Sequence, residues 1–318
     1  MSIFEVFGLS KDYRKANKTT QLVKNWDEVV EKNKTGKVFS LQVKKDGVCA
    51  IVVILNGLAT IWSRTGKRFT NTWALEHSIT SMDFRDGAYF GEMVNKSVSL
   101  EVMSGIVNPN RTKDLNKEQQ YIAIDLEMFF YDMVSTKAFI KGYDQTPFQT
   151  RHENLTDRYR KSSRSPWVHV LPTHEVESEE LIRLWAGQQT ERGEEGIVIC
   201  DPSAGWEAGH KGYRKMKIVR GCDYDLLCIG WEEGKGKYKR KIANLLFKWK
   251  EGVVIKCMLG KGWSHELAAS MYHCASHPNI DTPVGKIFQV YALEESSKGK
   301  LRLPKVGEER HDKSTSDV

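Results

Sequence analysis

From Lys37 onward the apolar positions fall into short, β-branched stretches punctuated by turn residues. Lys37–Val43 reads as a strand, Gly47–Leu55 is a longer apolar run, and Leu58–Ser63 is another. Asn56-Gly57 between the last two is a strong hairpin signal, because both residues tolerate positive φ. Asp86-Gly87 marks a second turn and leads into a strand over Ala88–Val94. Tyr121–Tyr131 reads as a buried strand and Gly196–Cys200 as a short apolar one. Gly212–Val219 is a further strand after a glycine-bearing loop. Two stretches carry helical spacing instead: a short amphipathic one at Trp26–Lys34 and a longer one at Glu177–Gln188.

After Gly221 the pattern becomes all-β, with strands expected over Tyr224–Trp231, Ile242–Trp249, Val253–Cys257 and Val284–Leu293. One helical insert, Ser264–Ala275, interrupts them. Several short strands and one helix in such a span fit a small closed barrel of the OB type. The expected class is therefore α+β: a domain of antiparallel sheets with helices over residues 1–220, then an all-β OB-fold domain over 221–318. The polar tail, His311–Val318, is expected to fray.

Composition narrows the function classes. The chain has 318 residues, 40% of them hydrophobic and 28% charged, as in ordinary globular proteins. It holds no apolar run of ~18 residues, so no membrane partner is expected. The N-terminus turns polar too soon for a signal peptide, which points to the cytoplasm. The six cysteines form no C-x-x-C pair, so they read as buried thiols rather than zinc ligands or a disulfide framework. Net charge is +7 and uneven: Lys211–Val318 carries 21 Lys and Arg against 13 Asp and Glu. A basic C-terminal part suits a polyanionic partner.

The first chemical signal is Lys44-Lys45-Asp46-Gly47, where one expected strand turns into the next. K-x-D-G fixes three positions and could be an ordinary charged turn. Its functional reading is a lysine nucleophile, since an amine attacks phosphorus only when unprotonated, and at an ordinary pKa that costs about 4 kcal/mol at neutral pH. Neighbouring cations lower the cost. The chain supplies such groups in a definite order: Ser63-Arg64-Thr65-Gly66-Lys67, Phe90-Gly91-Glu92, Phe129-Phe130-Tyr131-Asp132, Glu194-Glu195-Gly196-Ile197-Val198, and Tyr213-Arg214-Lys215-Met216-Lys217. In a strand the last run sets Lys215 and Lys217 on one face.

This succession resembles the motifs of the covalent nucleotidyltransferases, which include ATP-dependent DNA ligases, RNA ligases and mRNA capping enzymes. The C-terminal part favours the DNA ligases. Glu233-Gly234-Lys235-Gly236-Lys237-Tyr238 is similar to the first hairpin loop of their OB domain, and Arg310-His311-Asp312-Lys313 to their last motif, R-x-D-K. Pro147-Phe148-Gln149-Thr150-Arg151 with Leu155 looks like their P-F-x-x-R-x-x-x-L segment. The two-domain layout is similar to that of the small ligases of phages and large DNA viruses.

The resemblance implies a nucleotidyltransferase (ATP-grasp-like ligase) domain followed by the OB domain. It also implies an enzyme that seals nicks between 3′-hydroxyl and 5′-phosphate ends. RNA ligase and capping guanylyltransferase are the alternatives. Lys44 would carry AMP. Gln42 would face the adenine edge, Arg64 and Glu92 would hold the ribose, and Tyr131 would stack on the base. Glu195, with Glu92, would bind Mg2+. Lys215 and Lys217 would grip the α-phosphate, while Arg310 and Lys313 would orient pyrophosphate. ATP, Mg2+ and nicked double-stranded DNA are thus the implied ligands, and a monomer the implied state. One position departs: the family pattern K-x-D-G-x-R has arginine where this chain has Cys49, and a thiol cannot make a bidentate phosphate contact. Arg68 and Arg85 are candidates to compensate.

Overall fold

The computed structural model describes residues 2–9, 13, 19–260, 262–277, 282–296 and 299–318, which include every site residue named above. Contacts divide the chain into two compact units, Met1–Val219 and Arg220–Val318.

In the first unit, β1 (Leu22–Asn25), β2 (Phe39–Lys44), β9 (His174–Val176), β10 (Gly196–Cys200) and β12 (Lys211–Val219) form a sheet in the order β1-β12-β10-β2-β9. A second sheet takes β3 (Val48–Leu55), β4 (Leu58–Ser63), β5 (Gly87–Val94), β6 (Glu127–Val134) and β8 (Val168–Val170) in the order β4-β3-β5-β6-β8. Most pairings are antiparallel; β1–β12 and β6–β8 are parallel, and β7 (Tyr143–Asp144) pairs with β11 (Trp206–Glu207) in a separate ribbon.

Period-two alternation decides what each face does. In β3, Ala50, Val52 and Ile54 pack with Leu75, Ile79, Met103 and Leu155 from the helices over Trp73–Thr80, Leu100–Ile106 and Phe148–Lys161. Ile51 and Val53 face the other way, into a core with Trp62, Phe90, Phe139 and Trp206. With both faces covered, β3 reads as a continuous apolar run rather than an alternating one. In the first sheet Leu41, Ile197, Ile199 and Met216 join Trp26, Phe39 and Ile182. The intervening residues, Gln42, Lys44, Val198, Lys215 and Lys217, therefore share the opposite face, which looks toward the second sheet.

Two expectations in this unit change. Trp26–Lys34 is not one helix but two 3-10 turns, Trp26–Glu28 and Glu31–Asn33, with Val29 and Val30 extended between them. The Asn25 side chain caps the first turn, and Trp26 is buried by the sheet rather than by a helical stripe. Tyr121–Tyr131 is not one strand either. Asn116 and Gln119 form a capping box that starts a helix over Lys117–Ile124, and β6 begins only at Glu127.

The second unit is a closed barrel of β13 (Cys222–Glu233), β14 (Ile242–Lys248), β15 (Val254–Leu259), β16 (Ile287–Ala292) and β17 (Lys305–Glu309), ordered β13-β14-β15-β17-β16. Leu226, Leu245, Phe247, Trp249 and Phe288 fill it. The expected helix lies over His265–Ala275, capped by Ser264. The C-terminal tail does not fray as expected. The Asp317 N–H donates to the Asp225 carbonyl at 2.8 Å, the Asp225 N–H donates to the Asp317 carboxylate at 2.7 Å, and Val318 packs against the barrel core. A polar sequence gives no warning of a tail that Asp317 holds to a strand through its N–H and its carboxylate.

Gly196 joins the fold to the chemistry, because it pairs with Lys44 across β10 and β2. Its φ is +149°, and a β-carbon there would collide with the Ile218 carbonyl oxygen. Gly196→Ala is expected to cost about 1–3 kcal/mol through backbone strain alone. It should appear as a lower urea midpoint at unchanged m-value, whereas an unchanged midpoint would mean that β12 can give way.

Candidate active site

Lys44 ends β2, and its Nζ contacts the Glu195 carboxylate. The Glu195 N–H donates to the Lys44 carbonyl at 3.1 Å, so backbone and side chain hold the same pair together. The next pair repeats the arrangement: Lys45 contacts Glu194 and lies 5.1 Å over the Phe129 ring. Glu92 is half-buried on β5, directly opposite Cys49 of β3. Burial, with Glu195 and Asp46 adding negative charge, pushes the Glu92 carboxyl up to about 8 against the pull of Lys44 and Arg64. Lys217 is lowered, first by burial and then by the charge of Lys44. The structure thus brings Lys44, Arg64, Glu92, Glu195 and Lys217 into one electrostatic neighbourhood.

Behind it lies a buried ion cluster around Asp132, which takes up Lys215, expected on the α-phosphate, together with Arg151. Asp132 is fully buried; Arg151 donates to both its oxygens at 2.9 and 3.0 Å, and Lys215 donates at 2.8 Å. Although burial alone would raise it, the two cations hold the Asp132 carboxyl well below its ordinary value. Arg151 also donates to the carbonyls of Thr146 and Ala204. A β-bulge explains how Asp132 reaches this place. Phe90 pairs with Asp132 and Gly91 with Phe130, so Tyr131 is the extra residue. Bulges re-aim side chains, and this one turns both Tyr131 and Asp132 toward the cleft. A visible signal existed: an aspartate in the middle of an apolar strand, and an arginine on the buried side of a helix.

Tyr131 lies half-buried against the cleft-side core, with the Lys215 Nζ 4.9 Å over its ring. Its backbone carbonyl accepts from the buried Gln42 amide at 3.2 Å. Its phenol oxygen is 3.7 Å from the Cys49 sulfur, and burial drives both groups toward their protonated forms, the thiol up to about 11. The cations whose charge reaches Cys49 are Arg64 and Lys44. Arg85 precedes the opposite end of β5, where Gly87 pairs with Ile54, and Arg68 is tied to Glu76 at 2.8 Å. Neither expected compensator stands in the missing arginine's place.

Arg310 and Lys313 belong to the barrel unit. Arg310 meets both Asp225 oxygens at 2.8 and 2.9 Å and also pairs with Asp312; Lys313 pairs with Asp225 as well. Among the described residues no group of three or more His, Cys, Asp or Glu side chains could hold a metal ion, and no helix is long and apolar enough to cross a membrane.

Two packed sheets with a lysine-bearing cleft, followed by an OB barrel, define the class of covalent nucleotidyltransferases. Residues 19–218 match the family model of the ATP dependent DNA ligase domain, and residues 233–310 match that of the DNA ligase OB-like domain. The chain belongs to the ATP-dependent DNA ligase family. A probable DNA ligase of Streptomyces griseus is 28% identical over 115 residues, which is 36% of this chain but only 22% of that relative's length. Similar solved structures include Pmar-Lig_PreS3 (TM-score 0.73, 19% identity, 92% of this chain and 67% of that one). A Lig E DNA ligase described as binding DNA with a minimal scaffold gives 0.67 at 18% identity, with 92% and 98% covered. The ATP-dependent ligase of bacteriophage T7 in complex with ATP gives 0.53 at 17%, with 93% and 99% covered. At these identities the likeness is one of fold.

The Glu92 carboxyl yields a pH prediction. Its value of about 8 in the fold stands above the ordinary 4.5, so across that window the folded state binds more protons than the unfolded one. Stability therefore falls as pH rises through the window and levels off above it. Glu92→Gln cannot ionise. Without nucleotide or metal, its melting temperature should gain on the parent's from about pH 5 to about pH 8 and then run parallel. Curves parallel throughout would mean that Glu92 ionises normally.

Proposed function

We propose that this protein seals nicks in double-stranded DNA, using ATP and a covalent AMP on Lys44. The observation that carries the reading is the placement of Lys44 at a strand end in contact with Glu195, with Glu92 and Lys217 beside it. Lys44 Nζ attacks the α-phosphorus of ATP, forming an N–P bond and releasing pyrophosphate. The DNA 5′-phosphate then displaces Lys44 and takes the AMP. Finally the 3′-hydroxyl attacks that activated phosphate and AMP leaves. Each step develops charge on oxygens, so the work of the protein is positioning and neutralisation. Before Lys44 can attack, its Nζ must exchange Glu195 for the phosphate.

Two mutually repelling carboxylates, Glu92 and Glu195, suit Mg2+, which keeps several waters and shares its coordination with substrate phosphates. Glu195 and Glu92 would hold it, and it would supply charge neutralisation at those oxygens. In this reading Gln42 and Tyr131 face the adenine and Arg64 the ribose, with Lys215 and Lys217 on the α-phosphate. Arg310 and Lys313 exchange Asp225 for pyrophosphate. The exposed lysines between β13 and β14, Lys235, Lys237 and Lys239, add sequence-independent phosphate contacts, so binding weakens with salt. The protein acts as a monomer in the compartment that holds its DNA. RNA ligation and guanylyl transfer are the alternatives; GMP rather than AMP on the lysine would identify the latter.

Lys44→Arg tests the nucleophile cleanly, because arginine keeps a cation for the buried Glu195. Mass spectrometry after incubation with ATP and magnesium should find an AMP adduct on the parent and none on the variant. The variant should melt close to the parent, while Lys44→Ala, which strands Glu195, should melt lower. An adduct on Lys44→Arg would move the nucleophile elsewhere.

A second test concerns the barrel. The Arg310→Ala, Lys313→Ala double variant should lose self-adenylylation yet still seal a nick adenylylated beforehand. Equal loss of both steps in single-turnover assays would assign the two residues to folding or general DNA binding.

A further inference from the structure

Arg64 sits on an exposed turn, Ser63–Lys67, whose own backbone bonds run from Ser63 N–H to the Lys67 carbonyl and from Gly66 N–H to the Ser63 carbonyl, both at 2.8 Å. A turn this short with a long, exposed arginine should wander. The structure ties it down from two sides. On one side, Ile3 N–H donates to the Gly66 carbonyl at 2.8 Å, and Ser2 bridges Lys67. Ile3 opens the short helix Ile3–Val6, and Ile3, Phe4 and Leu9 are all buried. The fit over the turn is close: Gly66 has φ +81°, and a β-carbon there would lie 2.5 Å from a Phe4 ring carbon and 2.8 Å from Ile3. On the other side, the Arg64 carbonyl accepts from both the N–H and the hydroxyl of the buried Thr19, at 3.2 and 2.9 Å. The Arg64 side chain in turn sets its charge against Cys49 and Glu92.

We propose that the N-terminal arm, residues 2–9, together with Thr19, is a positioning element for Arg64, holding the turn so that the guanidinium meets the bound nucleotide. The family match begins at residue 19, so the arm lies outside the matched domain. The proposal rests on the ligase reading above, in which Arg64 contacts ATP. The arm touches no reacting atom; it acts through Arg64 alone.

Action through Arg64 alone is testable by a double-mutant cycle, since residues acting through one another are not additive. Ile3→Pro removes the N–H that holds Gly66, and proline is tolerated at the first position of a helix. Thr19→Val removes the hydroxyl from the opposite side with little change of shape. Each is combined with Arg64→Ala, and ATP-dependent self-adenylylation is measured alongside melting temperature. Each single variant should raise the ATP concentration for half-maximal rate about five-fold, with the saturating rate kept, as for loss of one hydrogen bond. In the Arg64→Ala background neither should have a further effect. If both variants penalise Arg64→Ala by the same factor as the parent, the arm is only packing and the proposal is overturned. Should Ile3→Pro fail to fold, Phe4→Leu, which thins the arm's contact over Gly66, takes its place in the cycle. A parent protein that forms no AMP adduct at all would instead overturn the ligase reading, and this proposal with it.

Discussion

Asp132 places a carboxylate where water does not reach, at the seam where β6 of one sheet faces β12 of the other. A buried charge of this kind is tolerated only with partners, and it has two, Arg151 from the Phe148–Lys161 helix and Lys215 from β12. Because the three residues come from three elements, satisfying one carboxylate fixes the spacing of all of them. Arg151 extends the constraint to the Thr146 and Ala204 carbonyls. The cluster carries one surplus positive charge, held under Tyr131 and Phe148 through the Lys215 amine, 4.9 and 5.2 Å from their rings. A cleft with a rigid, cationic floor is suited to a nucleotide phosphate, and its rigidity comes from the cost of leaving Asp132 unpaired.

Around Lys44 the balance is different. Glu92, Glu195 and Asp46 converge there with Lys44, Lys217 and Arg64, and no single pairing satisfies them all. The Glu92 carboxyl resolves the conflict by keeping its proton to about 8, and Lys217 by giving its proton up more readily. In the proposed reaction this neighbourhood accepts both a polyanion, which offsets its cations, and a cation, which offsets its carboxylates. The departure at Cys49 belongs to the same balance. Where the family carries a third cation, this chain has a thiol beside the Tyr131 phenol, so Arg64 and Lys44 are the cations whose charge reaches that spot.

The barrel repeats the buried-carboxylate device. The Asp225 carboxylate, almost fully buried at the start of β13, collects Arg310 and Lys313, while the Asp225 backbone holds Asp317. The last motif of the chain is thereby folded back onto the first strand of its own unit. The two cations assigned to pyrophosphate in the proposed reaction are held in reserve on Asp225, a partner that a more highly charged anion can replace.

The sequence by itself determined the class of fold and the order in which Lys44 and the charged groups around it, Arg64, Glu92, Glu195 and Lys217, follow along the chain. These depend on local chemistry: β-branched runs, Asn-Gly and Asp-Gly turns, and short motifs whose spacing survives wherever the chain folds. It also placed Lys215 and Lys217 on one face, since strand alternation is a local property. What it did not determine lies between elements. The bulge that turns Asp132 toward the cleft arises from pairing with β5; Asp132 stands out in an apolar strand, but nothing in β6 shows where its register shifts. The helix over Lys117–Ile124 was hidden because tyrosine and isoleucine suit a strand, while the deciding signal was the Asn116 cap. The C-terminal tail looked free because its partner, Asp225, is more than eighty residues away. Ion pairs such as Lys44–Glu195 and Asp132–Arg151 depend on which sheets meet, and burial then sets how strongly each charge must be compensated; only the tertiary structure supplies either.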